Sequence, residues 1–182
     1  DNVSDERILD LFEMLCGARL LYNYIWPGGV SHDLPPNFIQ YTTEFLDYFE
    51  PMLKEFDNVL TENMIFVERT ADVGIITPEV GVNFGVSGPT LRASGISHDL
   101  RKDEPYSVYD KFDFDVPVGK GIMGSVGDCW DRYWVRMREI EQSVKILRQA
   151  IAQLPEGDVH SARPKKVRPR KGEGYSRYES AR

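Results

Sequence analysis

One stretch, Thr77–Gly119, restricts what this chain can fold into more than any other. It follows neither a helical nor a strand period for long. Thr77-Pro78-Glu79 reads as a helix start, with a hydroxyl cap, proline at the first helical position and an acid in the first turn. Gly85 ends that helix after about two turns. Gly88, Pro89 and Gly95 then punctuate the backbone at short intervals. Beyond Gly95 the charges crowd together, from Asp99, Arg101 and Lys102 to Asp113 and Asp115, with Tyr106, Tyr109, Phe112 and Phe114 threaded among them. A segment this irregular is a surface loop or a functional connection. Its aromatic residues argue against a disordered loop. The residues therefore describe an ordered, irregular segment held by arginine–carboxylate pairs and packed rings. Bracing of the fold and participation in a site both remain open on these residues alone.

Around this segment the chain reads as helical. Ile8, Leu11, Phe12, Leu15, Ala18 and Tyr22 recur at three- and four-residue spacing. That pattern predicts a helix over 4–25, with Ser4 at its start and Pro27 as its stop. Pro35-Pro36 opens a second helix, expected over 36–60. Its aromatic stripe of Phe38, Tyr41, Phe45, Tyr48, Phe49 and Phe56 reads as core, and Pro51 is expected to kink or break it. Shorter helices are expected over 62–69 and 78–84. The clearest seam, Met137, Ile140, Val144, Leu147, Ile151 and Leu154, predicts a helix over 128–154, capped by Asp128 or Asp131. The fold class is mainly α, a multihelical body with an irregular charged centre and little β. The domain reading is a helical body over 1–157 and a basic Pro/Gly-rich segment over 158–182.

Charge separates those two parts. Residues 158–182 hold 8 Lys/Arg against 3 Asp/Glu, which leaves 14 against 26 for residues 1–157. An acidic body disfavours nucleic acid as a partner. The basic segment reads as a solvated loop, or as a contact for anionic lipid headgroups or an acidic neighbour. No apolar run is long enough to span a membrane.

The remaining motifs mostly close options. Cys16 and Cys129 stand apart, with no Cys-x-x-Cys, so they suggest neither a disulfide framework nor a zinc or iron–sulfur site. His32, His98 and His160 lack metal-ligand spacing. The loop Gly119–Gly127 is glycine-rich, yet no Gly-Lys-Ser/Thr follows it, and no GxGxxG marks a dinucleotide fold. It reads as a flexible connection. No catalytic residue and no metal ligand is assigned.

Read in order, Ser87-Gly88-Pro89, Leu91-Arg92-Ala93-Ser94-Gly95, Asp99-Leu100-Arg101-Lys102, Pro105-Tyr106, Tyr109-Asp110 and Phe114-Asp115-Val116-Pro117 form a series. It continues backward through Gly17-Ala18-Arg19 and Pro27-Gly28-Gly29-Val30, and forward through Gly127-Asp128-Cys129, Asp131-Arg132-Tyr133 and Gln142-Ser143. This series resembles the D subunit of the proton-pumping NADH:quinone oxidoreductase, respiratory complex I, from about Ile8 to Leu154. So many ordered matches are more specific than any single short motif.

The resemblance implies the helical fold shared with the large subunit of nickel–iron hydrogenases, and an internal stretch of a longer subunit. It implies a place in the quinone-reducing module of a membrane-associated oxidoreductase that couples electron transfer to proton translocation. There the subunit would help form the quinone cavity beside the terminal iron–sulfur cluster, which a neighbouring subunit carries. The implied substrate is quinone. The implied partners are the other subunits of the peripheral arm and the membrane-domain subunits. The implied location is the cytoplasmic side of a bacterial plasma membrane, held peripherally. The family's quinone-contacting His and Tyr would lie before Asp1, so the stretch by itself is expected to be inactive and to bind no cofactor.

Within the stretch, Arg19, Gly28 and Gly29 are the candidates beside the cluster or the quinone cavity. Arg19 would supply a fixed positive charge near a helix end, and the glycines a close backbone approach. Arg92, Asp99 and Arg101 are the candidates for a braced interface. Two departures from the family pattern stand out. Trp26 occupies the position before Pro-Gly-Gly where the family commonly has Arg, and the Gly119–Gly127 loop is somewhat longer than usual. Two other readings are compatible with the residues: the large subunit of a membrane-bound nickel–iron hydrogenase, and a non-catalytic helical scaffold.

Overall fold

The structure is a computed structural model that describes residues 3–161 and 170–179. The described residues are mainly α-helical, and their sheet is a single pair of two-residue strands. The chain divides into two compact units, Asp1–Phe49 with Ile151–Tyr175, and Glu50–Ala150 with Ser176–Arg182. This division does not follow the boundary at residues 157/158 that charge suggests. Residues 162–169, a large part of the basic segment, lie outside the described residues.

In the first unit, helix α1 runs Val3–Cys16. The apolar spacing continues to Tyr22, but the helix stops nine residues short of the predicted end. The reason is Gly17, which takes a left-handed φ of 75° and donates its N–H to Glu13 O at 2.8 Å. The apolar residues beyond it fold back instead of extending the helix, so that the Tyr22 ring packs 4.2 Å from the Phe12 ring, centroid to centroid. Strands β1 (Ile25–Trp26) and β2 (Gly29–Val30) pair antiparallel around Pro27-Gly28. Helix α2 (Phe38–Phe56) begins after Asn37 in a left-handed turn, with φ 64°. Its buried side chains in this unit are Thr42, Phe45 and Leu46. The aromatic stripe is only partly core, because Tyr41 and Phe56 lie exposed at its edges.

Pro51 lies inside α2 without breaking it. The α-helix ends at Phe56, and a five-residue π-helical turn, Asp57–Thr61, completes the segment predicted as helix to residue 60. The second unit then builds on α3 (Met64–Thr70), whose first turn is capped by Asn63 accepting from the Ile65 and Phe66 N–H groups at 3.0 and 3.3 Å. Helix α4 (Pro78–Asn83) starts as its residues predict, with Thr77 Oγ1 accepting from Val80 N, and stops at Gly85 with φ 65°. Helices α5 (Gly88–Ala93) and α6 (Leu100–Asp103) and a 3-10 turn (Tyr109–Lys111) are short pieces separated by extended chain.

The long helix α7 (Cys129–Ala152) closes the unit. Asp128 caps it, accepting the Asp131 N–H at 2.8 Å. Burial is concentrated nearer its start than the apolar seam suggests. Trp130, Val135 and Val144 are buried, while Leu147 is 43% exposed. The irregular centre packs through its rings: Phe114 is 2% exposed, with the Lys102 ammonium 4.4 Å and the Arg101 guanidinium 5.0 Å from its centroid. No helix among the described residues is long and apolar enough to cross a membrane.

Candidate functional site

Arg92 is the hub of the second unit. It lies in the last turn of α5, only 1% exposed, and a guanidinium this deep must have its donors occupied. Its Nε donates to Glu139 Oε1 on α7 at 2.6 Å, and its Nη1 donates to His98 O at 2.8 Å and to Glu179 Oε1 at 3.2 Å. Asp99 Oδ2 lies 3.6 Å from the same Nη1. Asp99 is the cap of α6: its Oδ1 accepts the Arg101 N–H at 2.9 Å. The Arg101 guanidinium returns to it, Nη2 to Oδ2 at 2.6 Å and Nε to Oδ1 at 3.0 Å. Two guanidinium cations thus face three carboxylates inside the fold.

The charges tune one another. Burial works to raise the pKa of Asp99, but the Arg101 hydrogen bonds and charge, with the Arg92 charge behind them, outweigh it and hold the carboxyl below its ordinary value. Burial works to lower Arg101, and its hydrogen bonds to Asp99 outweigh that and raise it. The structure therefore brings the three predicted bracing residues Arg92, Asp99 and Arg101 into one network. Glu139 and Glu179, 47 and 87 residues from Arg92, complete it. Neither carries a sequence signal, since partners at such separations obey no local period.

The network also fixes the chain that leaves it. Tyr106 Oη donates to Glu179 O and accepts from Glu179 N, at 3.2 and 3.1 Å, and Arg177 pairs with Glu104. On the other side Gly119 N donates to Arg92 O at 2.8 Å. A Cβ on Gly119 would lie 1.8 Å from Ala93 O, so the backbones meet closer there than any side chain allows.

The loop Gly119–Gly127 is pinned to the fold at points along its length. Its Gly121 and Gly127 N–H groups converge on Asp131 Oδ2, at 3.0 and 3.4 Å, and Asp131 is fully buried. These donors serve the chain's own carboxylate, which is why the glycine-rich stretch is no phosphate cradle. Asp131, weighed from sequence only as a helix cap, is instead the residue around which this loop is wrapped. Its position in the first turn of α7, beside a run of glycines, was the available signal.

The second set of candidates lies in the first unit. Arg19 sits three residues past the end of α1 rather than on a helix, with its side chain 41% exposed. Its Nη1 donates to Asp10 Oδ1 at 2.7 Å and to Glu13 Oε2 at 2.9 Å. These two hydrogen bonds, the Asp10 one foremost, raise its pKa. Asp10 in turn lines a cleft of about 450 Å³ between α1 and α2, together with Arg7, Leu11, Met14, Tyr41, Glu44 and Phe45.

Gly28 and Gly29 adopt φ of 93° and 149°, values that L side chains rarely adopt. The backbone they admit is the chain's own. Ser161 N donates to Gly28 O at 2.8 Å, Gly29 bridges His160, and a Cβ on Gly29 would lie 2.2 Å from Val159 O. The Trp26 indole N–H donates to Asn23 Oδ1 at 2.9 Å within the same turn. The structure thus does not bring Arg19, Gly28 and Gly29 into one network as it does the bracing residues.

Among the described residues no three His, Cys, Asp or Glu side chains converge so as to hold a metal ion, and Cys16 and Cys129 are free. The Cys129 sulfur accepts from Arg132 Nη2 at 2.9 Å. The donor set of this chain does not fit a resident iron–sulfur cluster, which requires several thiolates on one centre.

Residues 3–182 match the family described as the respiratory-chain NADH dehydrogenase, 49 Kd subunit. The chain is 49% identical over 180 residues to the D subunit of the NADH-quinone oxidoreductase of Chlorobaculum tepidum, covering 97% of this chain and 45% of that one. It is 50% identical over 180 residues to the D subunit numbered 2 in Sorangium cellulosum, covering 97% and 46%. It is 49% identical over 177 residues to the D subunit numbered 2 in Anaeromyxobacter dehalogenans, covering 97% and 47%. The chain thus spans about half the length of the curated relatives it matches. It belongs to the family of the respiratory-chain NADH dehydrogenase 49 Kd subunit.

Proposed function

We propose that this chain is part of the quinone-reducing module of a membrane-associated NADH:quinone oxidoreductase, and that it helps form the quinone cavity beside an iron–sulfur cluster held by a neighbouring subunit. The observation that carries this reading is the family match across nearly the whole chain, with relatives named as D subunits of NADH-quinone oxidoreductase. In this reading the cluster supplies the electrons, and the residues here supply geometry and charge. Arg19, with Gly28 and Gly29, contributes to the wall on the cluster side. Arg92, Asp99 and Arg101 hold the body rigid against neighbouring subunits of the peripheral arm.

The division of labour follows from what each site contains. The Arg92 network is buried and internally satisfied, so it serves positioning rather than turnover. Arg19 is accessible and keeps its charge at every working pH, so it can act on a partner's charge. The test is a strain whose complex lacks the subunit containing this stretch. NADH oxidation by a water-soluble artificial acceptor is expected to survive in the remaining subcomplex while quinone reduction disappears. Quinone reduction that persists without the subunit contradicts the reading.

A further inference from the structure

We draw no further inference here: the strongest candidate, the cleft between α1 and α2 lined by Asp10, Glu44, Leu11, Met14 and Phe45, carries none, because the carboxylates that line it are exposed and nothing in the structure shows what covers it.

Discussion

At the scale of single residues, Arg92 ties the second unit together, because it joins α5, α6, α7 and the segment around Glu179. Arg92→Met keeps most of the volume and leaves Asp99, Glu139 and Glu179 without their shared cation. It is expected to cost about 3–5 kcal/mol in equilibrium denaturation. Arg92→Lys is expected to recover little of this, since an ammonium cannot point at three partners along a planar fork. Asp99 makes the matching prediction in acid. Its folded pKa lies below the unfolded value of about 3.9, so its contribution is fully present above that value and is lost as pH falls through the folded pKa. The acid side of the stability–pH curve is therefore expected to flatten in Asp99→Asn, measured by urea midpoints between neutral pH and about pH 3. These residues were partly legible beforehand: Arg92, Asp99 and Arg101 stand within ten positions of one another in a crowded charged stretch. Glu139 and Glu179 were not, because the contacts that select them form only when the chain folds.

At the scale of elements, the apolar period located every long helix, while a backbone-specific residue, Gly17, decided where α1 ended and none decided where α2 did. α1 stops at Gly17 although its apolar spacing runs on, because the left-handed turn and the returning Tyr22 ring offer those side chains another place to pack. α2 runs through Pro51, whose missing N–H and ring did not prevent the helix from continuing to Phe56. α7 buries Val144 at 6% exposure. Val144→Asp places an unpaired carboxylate there and is expected to lower stability by on the order of 4 kcal/mol, read from thermal melting. Gly119 is the corresponding test of the loop. Gly119→Ala forces a methyl into Ala93 O and is expected to cost about 1–3 kcal/mol, although glycine-to-alanine changes elsewhere often stabilise. An unchanged melting temperature for Gly119→Ala would show that the two backbones can separate without loss.

At the scale of the whole molecule, the ordered series of short motifs pointed to a family that composition alone does not specify, and the match over residues 3–182 agrees with it. The composition of the site was less legible. Gly28 and Gly29 read as a place for another molecule's approach, and their neighbour here is the chain's own segment at Val159–Ser161. Arg19 remains the residue on which the functional account turns. Asp10 and Glu13 hold it at the surface, so Arg19→Met removes a cation and also leaves two carboxylates uncompensated. This loss of one positive charge makes the neighbourhood more negative, which disfavours adding an electron to a nearby cluster. The most direct measurement uses the assembled complex carrying Arg19→Met: quinone reduction against reduction of a water-soluble acceptor, with a redox titration of the terminal cluster. The account predicts normal assembly, slower quinone reduction, unchanged reduction of the soluble acceptor and a cluster potential shifted downward. Normal quinone reduction with an unshifted potential would contradict it.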